Sequence, residues 1–150
     1  EGRLVLADAL SYAVKTFKPD HLIDVATLTG SALVALGEHI AALLCNDTKL
    51  EKQLMQASKI SDEKLWPLPL HKDYLKLLKS DVPDLKNSGS RYAGTITAAL
   101  FLHEFIEKHP SCGHLDIAGP TFSDKGFGAY PHLATGFGVR LLVQFLQSLS

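Results

Sequence analysis

Residues 21–37 read HLIDVATLTGSALVALG, and this stretch decides the fold. Its opening part, residues 21–27, is short, apolar and rich in β-branched side chains, which predicts a buried strand. A Thr-Gly-Ser turn then opens a short helix over residues 31–36, and Gly37 ends it. A buried strand that runs directly into a helix is typical of α/β proteins.

The same alternation of apolar strands and amphipathic helices continues on both sides of this stretch. Because strands that are apolar along their whole length need cover on both faces, helices must lie on both sides of the sheet. The sequence therefore predicts an α/β fold with three layers, α/β/α, around a mainly parallel central sheet. We predict strands over 39–46, 65–69 and 113–118, the second confined to an edge by its prolines; helices over 3–17, 47–59, 95–108 and 138–148; one or two helical turns over 74–79; and loops over 83–93 and 121–132.

Composition and charge exclude several classes of protein. With 150 residues, 46% hydrophobic and 21% charged, the chain has the composition of one globular domain rather than a disordered segment. Its 15 basic and 16 acidic residues give a net charge of −1, so no electrostatic surface for nucleic acid or an anionic membrane is expected. The longest apolar run, residues 40–45, is far shorter than the roughly 18 residues of a spanning helix. We expect neither a nucleic-acid partner nor a membrane.

The cysteines and the first residues give two further expectations. Cys45 and Cys112 lie far apart and outside any CxxC motif, which favours a reducing, cytoplasmic location and two small buried side chains at strand ends. The chain begins at Glu1 without an initiating Met, so we expect it to be part of a longer protein.

The self-contained catalytic signatures are incomplete. His103 and Glu104 begin like a zinc-protease helix, but Glu107 stands where the second imidazole is needed. The segment is more typical of a solvated helix face. Glu1 and Arg3 are more informative, because a carboxylate at a helix start can ligate a divalent cation. The guanidinium two residues later could clamp a planar anion beside that cation.

Five motifs together resemble one enzyme family, the leucyl aminopeptidases, also called cytosol aminopeptidases. They occur in the family's order over essentially the whole chain, which makes the resemblance specific. The motifs are Glu1-Gly2-Arg3-Leu4, Ala7-Asp8-Ala9-Leu10, Ala26-Thr27-Leu28-Thr29-Gly30, Arg91-Tyr92-Ala93-Gly94 and His114-Leu115-Asp116-Ile117-Ala118-Gly119.

The resemblance implies a catalytic domain that holds two divalent ions, which are zinc, manganese or magnesium. Their ligands are a lysine, several aspartates and one glutamate, and a water between the ions attacks the peptide bond next to a free N-terminus. Glu1 corresponds to the glutamate that bridges the metals. Arg3 corresponds to the arginine that binds a bicarbonate ion, which acts as general base on the water.

The resemblance also implies the substrate contacts and the assembly. Thr27, Leu28 and Gly30 border the substrate, partly through backbone groups, and Ala118 lines the pocket for its first side chain. Leucine-like substrates with broad tolerance are therefore expected. The family assembles as a homohexamer of two stacked trimers, with the active sites facing an inner cavity.

Only one ligand of the implied metal site, Glu1, lies within this chain. Because a single carboxylate cannot hold two cations, we expect residues 1–150 to be the C-terminal portion of the catalytic domain, inactive without the preceding portion. Two alternatives stay open. One is a noncatalytic folding or assembly module. The other is a nucleotide-binding α/β domain, in which the turn at residues 27–31 would cradle phosphate, although a full glycine fingerprint is lacking.

Overall fold

The computed structural model describes residues 1–79, 86, 92–130 and 132–149. Most of the predicted loop over residues 83–93, including Arg91, lies outside the described residues. The helices are α1 (Gly2–Phe17), α2 (Gly30–Leu36), α3 (Thr48–Ser61), α4 (Gly94–His103) and α5 (Val139–Gln147), with a 3-10 helix at Lys72–Leu78. The strands are β1 (Leu22–Ala26), β2 (Ala41–Cys45), β3 (Leu65–Pro67), β4 (Cys112–Asp116), β5 (Phe122–Ser123) and β6 (Leu133–Ala134).

Four strands form a mixed, mainly parallel sheet in the order β1-β4-β2-β3. β1 runs parallel to β4, β3 runs parallel to β2, and the two pairs meet where β2 and β4 are antiparallel. The α/β class and the edge position of the proline-containing strand are confirmed. In the register of β1 with β4, Ala26 pairs with Asp116, so the carboxyl ends of these two strands lie side by side.

Helices cover both faces of this sheet, which confirms the three layers. On one face, Leu43 of β2 and Leu115 of β4 pack with α3 and α5. On the other face, Leu22 of β1 and Cys112 of β4 pack with α1 and α4. The alternation of side chains along a strand also places Asp116 on this second face. None of the described helices is long and apolar enough to cross a membrane.

The predicted helix boundaries are explained by their caps. Thr29 accepts a hydrogen bond from the Ala32 amide, 3.2 Å away, and so begins α2. Asp47 does the same for α3 through the amide of Lys49, at 2.9 Å. Gly37, with φ of +73°, ends α2 as expected.

One helix is shorter than the sequence predicts. α4 ends at His103, where the apolar periodicity predicts a helix to Lys108. Glu107 and Lys108 instead adopt φ of 52° and 60°, which reverses the chain toward β4. The Glu107 carboxylate is held there by Ser11 Oγ and Lys15 Nζ of α1, each at 3.0 Å. Tertiary contacts with α1 therefore accompany the early end of the helix.

The predicted loop over residues 121–132 contains a short strand. Phe122–Ser123 pairs antiparallel with Leu133–Ala134. The Thr135 hydroxyl donates to the Pro120 carbonyl at 2.6 Å and closes the base of this segment. Strands of two residues are too short to show an alternating pattern, which is why the sequence gives no signal for them.

Candidate functional site

A cleft of about 500 Å³ lies where the N-terminus of α1 meets the carboxyl end of β1. One wall comes from the first turns of α1 and the other from residues 26–28. The structure therefore brings together four of the six residues predicted from the sequence, namely Glu1, Arg3, Thr27 and Leu28.

Glu1 is the N-cap of α1. Its Oε1 accepts a hydrogen bond from the backbone amide of Arg3 at 3.0 Å, and the side chain is exposed. A carboxylate at the N-terminus of a helix is stabilised by the unpaired amides and by the helix dipole. The N-cap role therefore explains the position of Glu1, and the same residue also lines the cleft.

Arg3 is half-buried, and its guanidinium feels the charges of two carboxylates. Burial of the guanidinium lowers its pKa, while the negative charges of Glu1 and Asp116 act in the opposite direction. Because the guanidinium of arginine is not deprotonated in proteins, Arg3 remains a cation. The arrangement places a fixed positive charge in a cleft that is otherwise lined largely by apolar side chains.

The loop that follows β1 is held in place by Asp116 at the end of β4. Asp116 Oδ1 accepts from the backbone amides of Leu28 at 3.1 Å and Thr29 at 3.4 Å. The Thr29 hydroxyl donates to Oδ2 at 2.7 Å. Asp116 is fully buried, so these bonds are shielded from water.

The two remaining predicted residues lie next to the cleft rather than in its described lining. Gly30 is exposed and is the first residue of α2, directly after the Leu28-Thr29 loop. Ala118 is half-buried, and its amide donates to Asp116 Oδ1 at 3.2 Å. A single carboxylate therefore connects the loop after β1 with the segment after β4.

Asp116 and Thr29 are the site residues to which sequence reasoning assigned no role. Both stand inside the quoted motifs. The available signal was a carboxylate at the end of an otherwise apolar strand, because a charge buried there needs hydrogen-bond partners. Thr29 also bonds Thr95 at the start of α4, with 3.0 Å between the two hydroxyl oxygens.

The described part of the chain does not form a metal site by itself. Within it, no group of three or more His, Cys, Asp or Glu side chains is placed to hold an ion. Glu1 supplies one exposed carboxylate, whereas both oxygens of Asp116 already accept protein hydrogen bonds. A two-ion centre needs several converging ligands, and these residues supply only one.

The fold and the cleft define an α/β protein with a cleft at the carboxyl end of a parallel strand, beside the N-terminus of a helix, which is where ligands bind in many open α/β sheets. Comparison with known proteins identifies the family. The family model described as "Cytosol aminopeptidase family, catalytic domain" matches residues 1–143. The chain belongs to the cytosol aminopeptidase family, which confirms the resemblance found in its motifs.

Individual relatives agree with this assignment. A probable cytosol aminopeptidase of Chlorobaculum parvum is 55% identical over 150 residues, which are 100% of this chain and 30% of the relative. One from Chlamydia abortus is 51% identical over 148 residues, covering 98% of this chain and 30% of the relative. The chain thus spans about 30% of the length of the curated relatives it matches.

Solved structures share the fold. A mutant of tomato leucine aminopeptidase superposes with a TM-score of 0.91 at 41% identity, over 98% of this chain and 28% of that chain. The bottromycin maturation enzyme BotP superposes with a TM-score of 0.93 at 41% identity, over 99% of this chain and 33% of that one. This chain thus matches a limited part of each of these larger structures.

Proposed function

We propose that residues 1–150 are the C-terminal portion of the catalytic domain of a metal-dependent aminopeptidase. The complete enzyme removes the N-terminal residue from peptides, with a preference for leucine-like side chains and broad tolerance. The observation that carries this proposal is that one cleft is lined by all four of the residues Glu1, Arg3, Thr27 and Leu28. These are residues that the family resemblance links to metal, anion and substrate.

Glu1 would serve as one ligand of the metal centre. Its side chain is exposed beside the cleft, and a carboxylate suits zinc, manganese and magnesium alike. Two such ions, when bound, would supply an activated water and polarise the carbonyl of the scissile bond. Their other ligands would come from the part of the protein outside this chain, since the curated relatives are about three times as long.

Arg3 would hold a bicarbonate ion beside the metal centre. Its guanidinium carries parallel N–H groups that match a planar carboxylate-like anion. Partial burial strengthens this interaction, because water competes less for the guanidinium in the cleft. The bound anion would act as the general base for the attacking water.

The substrate would lie along the loop after β1. Thr27, Leu28 and Gly30 would contact it, partly through backbone groups, and the small side chain of Ala118 would leave room for an apolar first residue. A metal-held free amine needs no charged specificity residue, which fits the apolar residues Val5, Leu6 and Ala9 in the α1 wall of the cleft. We further propose a cytoplasmic homohexamer.

The test compares this chain with a fusion in which the part of the Chlorobaculum parvum relative outside the matched region precedes it. We call this fusion the completed enzyme. With added zinc or manganese, the completed enzyme should release leucine from leucine amide, whereas the 150-residue chain should not. A leucine amide with an acetylated amine is the matched control and should resist both.

Two results would contradict the proposal. Robust turnover by the 150-residue chain alone would show that the metal centre does not need the remaining portion. A folded completed enzyme that fails to hydrolyse leucine amide would refute the peptidase assignment and favour the alternative of an assembly module. Size-exclusion chromatography of the same fusion tests the hexamer.

A further inference from the structure

The side chain of Asp116 makes several hydrogen bonds that are not part of the strand pairing of the sheet. It is fully buried at the end of β4, and its carboxylate accepts four hydrogen bonds. None of them belongs to the strand ladder. All come from Leu28, Thr29 and Ala118, which follow the ends of β1 and β4.

These four bonds connect two segments that are far apart in sequence. Leu28 lines the cleft and Ala118 lies beside it, and both donate their backbone amides to the same oxygen, Oδ1 of Asp116. Because one atom accepts from both, the separation of the two segments depends on this carboxylate. An apolar side chain in its place would leave three buried or half-buried amides without their acceptor.

We propose that Asp116 is a positioning residue of the aminopeptidase site. It sets the distance between the Leu28 loop and Ala118 through the bonds that both donate to its Oδ1. It acts through these neighbours and does not contact the substrate. This inference rests on the proposed function, because it assumes that the substrate lies between the two segments.

The chain offers a matched control in Asp24. This carboxylate is also buried, lies on β1 beside β4, and accepts a hydrogen bond from His114 Nδ1 at 2.6 Å. It does not belong to the described lining of the cleft. Loss of its charge tests what a buried carboxylate does for the fold alone.

The experiment measures kcat and KM for leucine p-nitroanilide in the completed enzyme and in its Asp116→Asn and Asp24→Asn variants. An amide has one acceptor oxygen, so Asp116→Asn cannot accept all four bonds. We expect KM to rise about tenfold while kcat changes by less than about threefold, as when uniform substrate binding is lost. Both variants should lower the Tm, and by similar amounts. Only Asp116→Asn should raise KM, and Asp24→Asn should leave it unchanged.

A second variant covers the case in which Asp116→Asn does not fold. Thr29→Ala removes the 2.7 Å hydroxyl bond to Oδ2, together with the α2 cap and the bond to Thr95, and leaves the carboxylate in place. KM should rise by about threefold, and Thr95→Ala, which removes only the bond to Thr95 among these three, should leave KM unchanged. An unchanged KM in the folded Asp116 variant, or an equal rise in Asp24→Asn, would overturn the proposal. Inactivity of the unmodified completed enzyme would instead count against the proposed function, and it is seen before any variant is compared.

Discussion

Arg3 is the residue whose chemistry depends most directly on its surroundings. It is half-buried, and burial lowers its pKa while Glu1 and Asp116 partly oppose that effect. If it holds the anion that acts as base, Arg3→Ala in the completed enzyme should lower kcat by about 10²–10⁴-fold, with a much smaller change in KM. Steady-state kinetics at saturating metal measure this, with Lys15→Ala on the same helix as control.

The opposite pattern of changes in kcat and KM would contradict the role of Arg3 in holding the base. A rise in KM with unchanged kcat would make it a substrate-binding residue. Arg3→Lys keeps the charge but loses the planar fork, so it should recover only part of the rate.

The two cysteines lead to a prediction about thiol reactivity. Burial raises the pKa of Cys45 from 9.0 to about 11 and that of Cys112 to about 12. Both are free thiols, and in native protein at pH 8 they should react with iodoacetamide far more slowly than after unfolding. Mass spectrometry of the peptides that contain each cysteine measures the two rates separately.

The same shifts fix the pH dependence of stability. A pKa raised in the folded state favours folding below the unfolded value, and that contribution is lost as the pH rises through the folded value. The free energy of unfolding should therefore fall between about pH 9 and pH 12, and less steeply in the Cys45→Ala, Cys112→Ala double variant. An identical slope in the two proteins would show that other groups dominate.

Single-residue roles could be predicted only where a motif carried them. Glu1, Arg3 and the Thr27-Leu28 pair were found from the resemblance, and the structure places them around one cleft. The role of Asp116 could not be found in this way. Its partner Leu28 is 88 positions away in the sequence, and the bond exists only because β1 and β4 are neighbours.

At the scale of elements, caps were more predictable than helix ends set by distant contacts. Asp47 and Gly37 act at the boundaries that their residue types predict. The start of α5 differs, because the buried Glu63, which follows α3, accepts the Leu141 amide at 2.7 Å. Such a cap from another element leaves no local sequence signal.

This distant cap can be tested directly. Glu63→Ala should destabilise the protein by about 2–3 kcal/mol, because it leaves the buried Leu141 amide without its charged acceptor. Glu63→Gln keeps an acceptor oxygen and should cost less. Arg140→Ala removes a 3.6 Å contact to the same carboxylate and a cation–π contact with Tyr130 but leaves the Leu141 cap intact, so it should cost less than Glu63→Ala. Urea unfolding of the completed enzyme measures all three, and equal losses would disprove the cap.

The segment after β4 depends on one close approach. A Cβ at Gly119 would collide with the carbonyl oxygen of Gly37, a backbone atom that cannot turn aside. Gly119→Ala should therefore destabilise by about 1–3 kcal/mol. Gly30→Ala is the matched control for unfolding, because its Cβ would meet no atom within 4 Å. Equal unfolding midpoints for the two variants would contradict this account.

At the scale of the whole molecule, the layers were predictable and the strand order was not. Strands apolar on both faces imply helices on both sides, and clusters on each face confirm it. The position of β4 between β1 and β2 could not be predicted from the sequence, because the strand order depends on packing among elements that are distant in the chain. The cleft depends on this order, since it makes β4 and its terminal Asp116 neighbours of β1.

The outer surface of α1 leads to the last prediction. Tyr12 and Phe17 pack edge to face, with ring centroids 5.9 Å apart, yet they are 63% and 69% exposed. β1 below them is an edge strand of the described sheet. Exposed apolar groups and an uncovered strand edge promote association. The 150-residue chain alone should therefore elute well above its mass of 16.3 kDa at high concentration.

Charges on α1 should reverse this association. The Tyr12→Lys, Phe17→Lys double variant should shift the isolated chain toward the monomer in size-exclusion chromatography with light scattering. Ile60→Lys is the control, because Ile60 is 60% exposed on a different helix, α3. If this aromatic pair drives association, the control will still associate, because its charge lies away from α1. A monomeric unmodified chain, or equal rescue by Ile60→Lys, would show that α1 does not present a specific apolar surface.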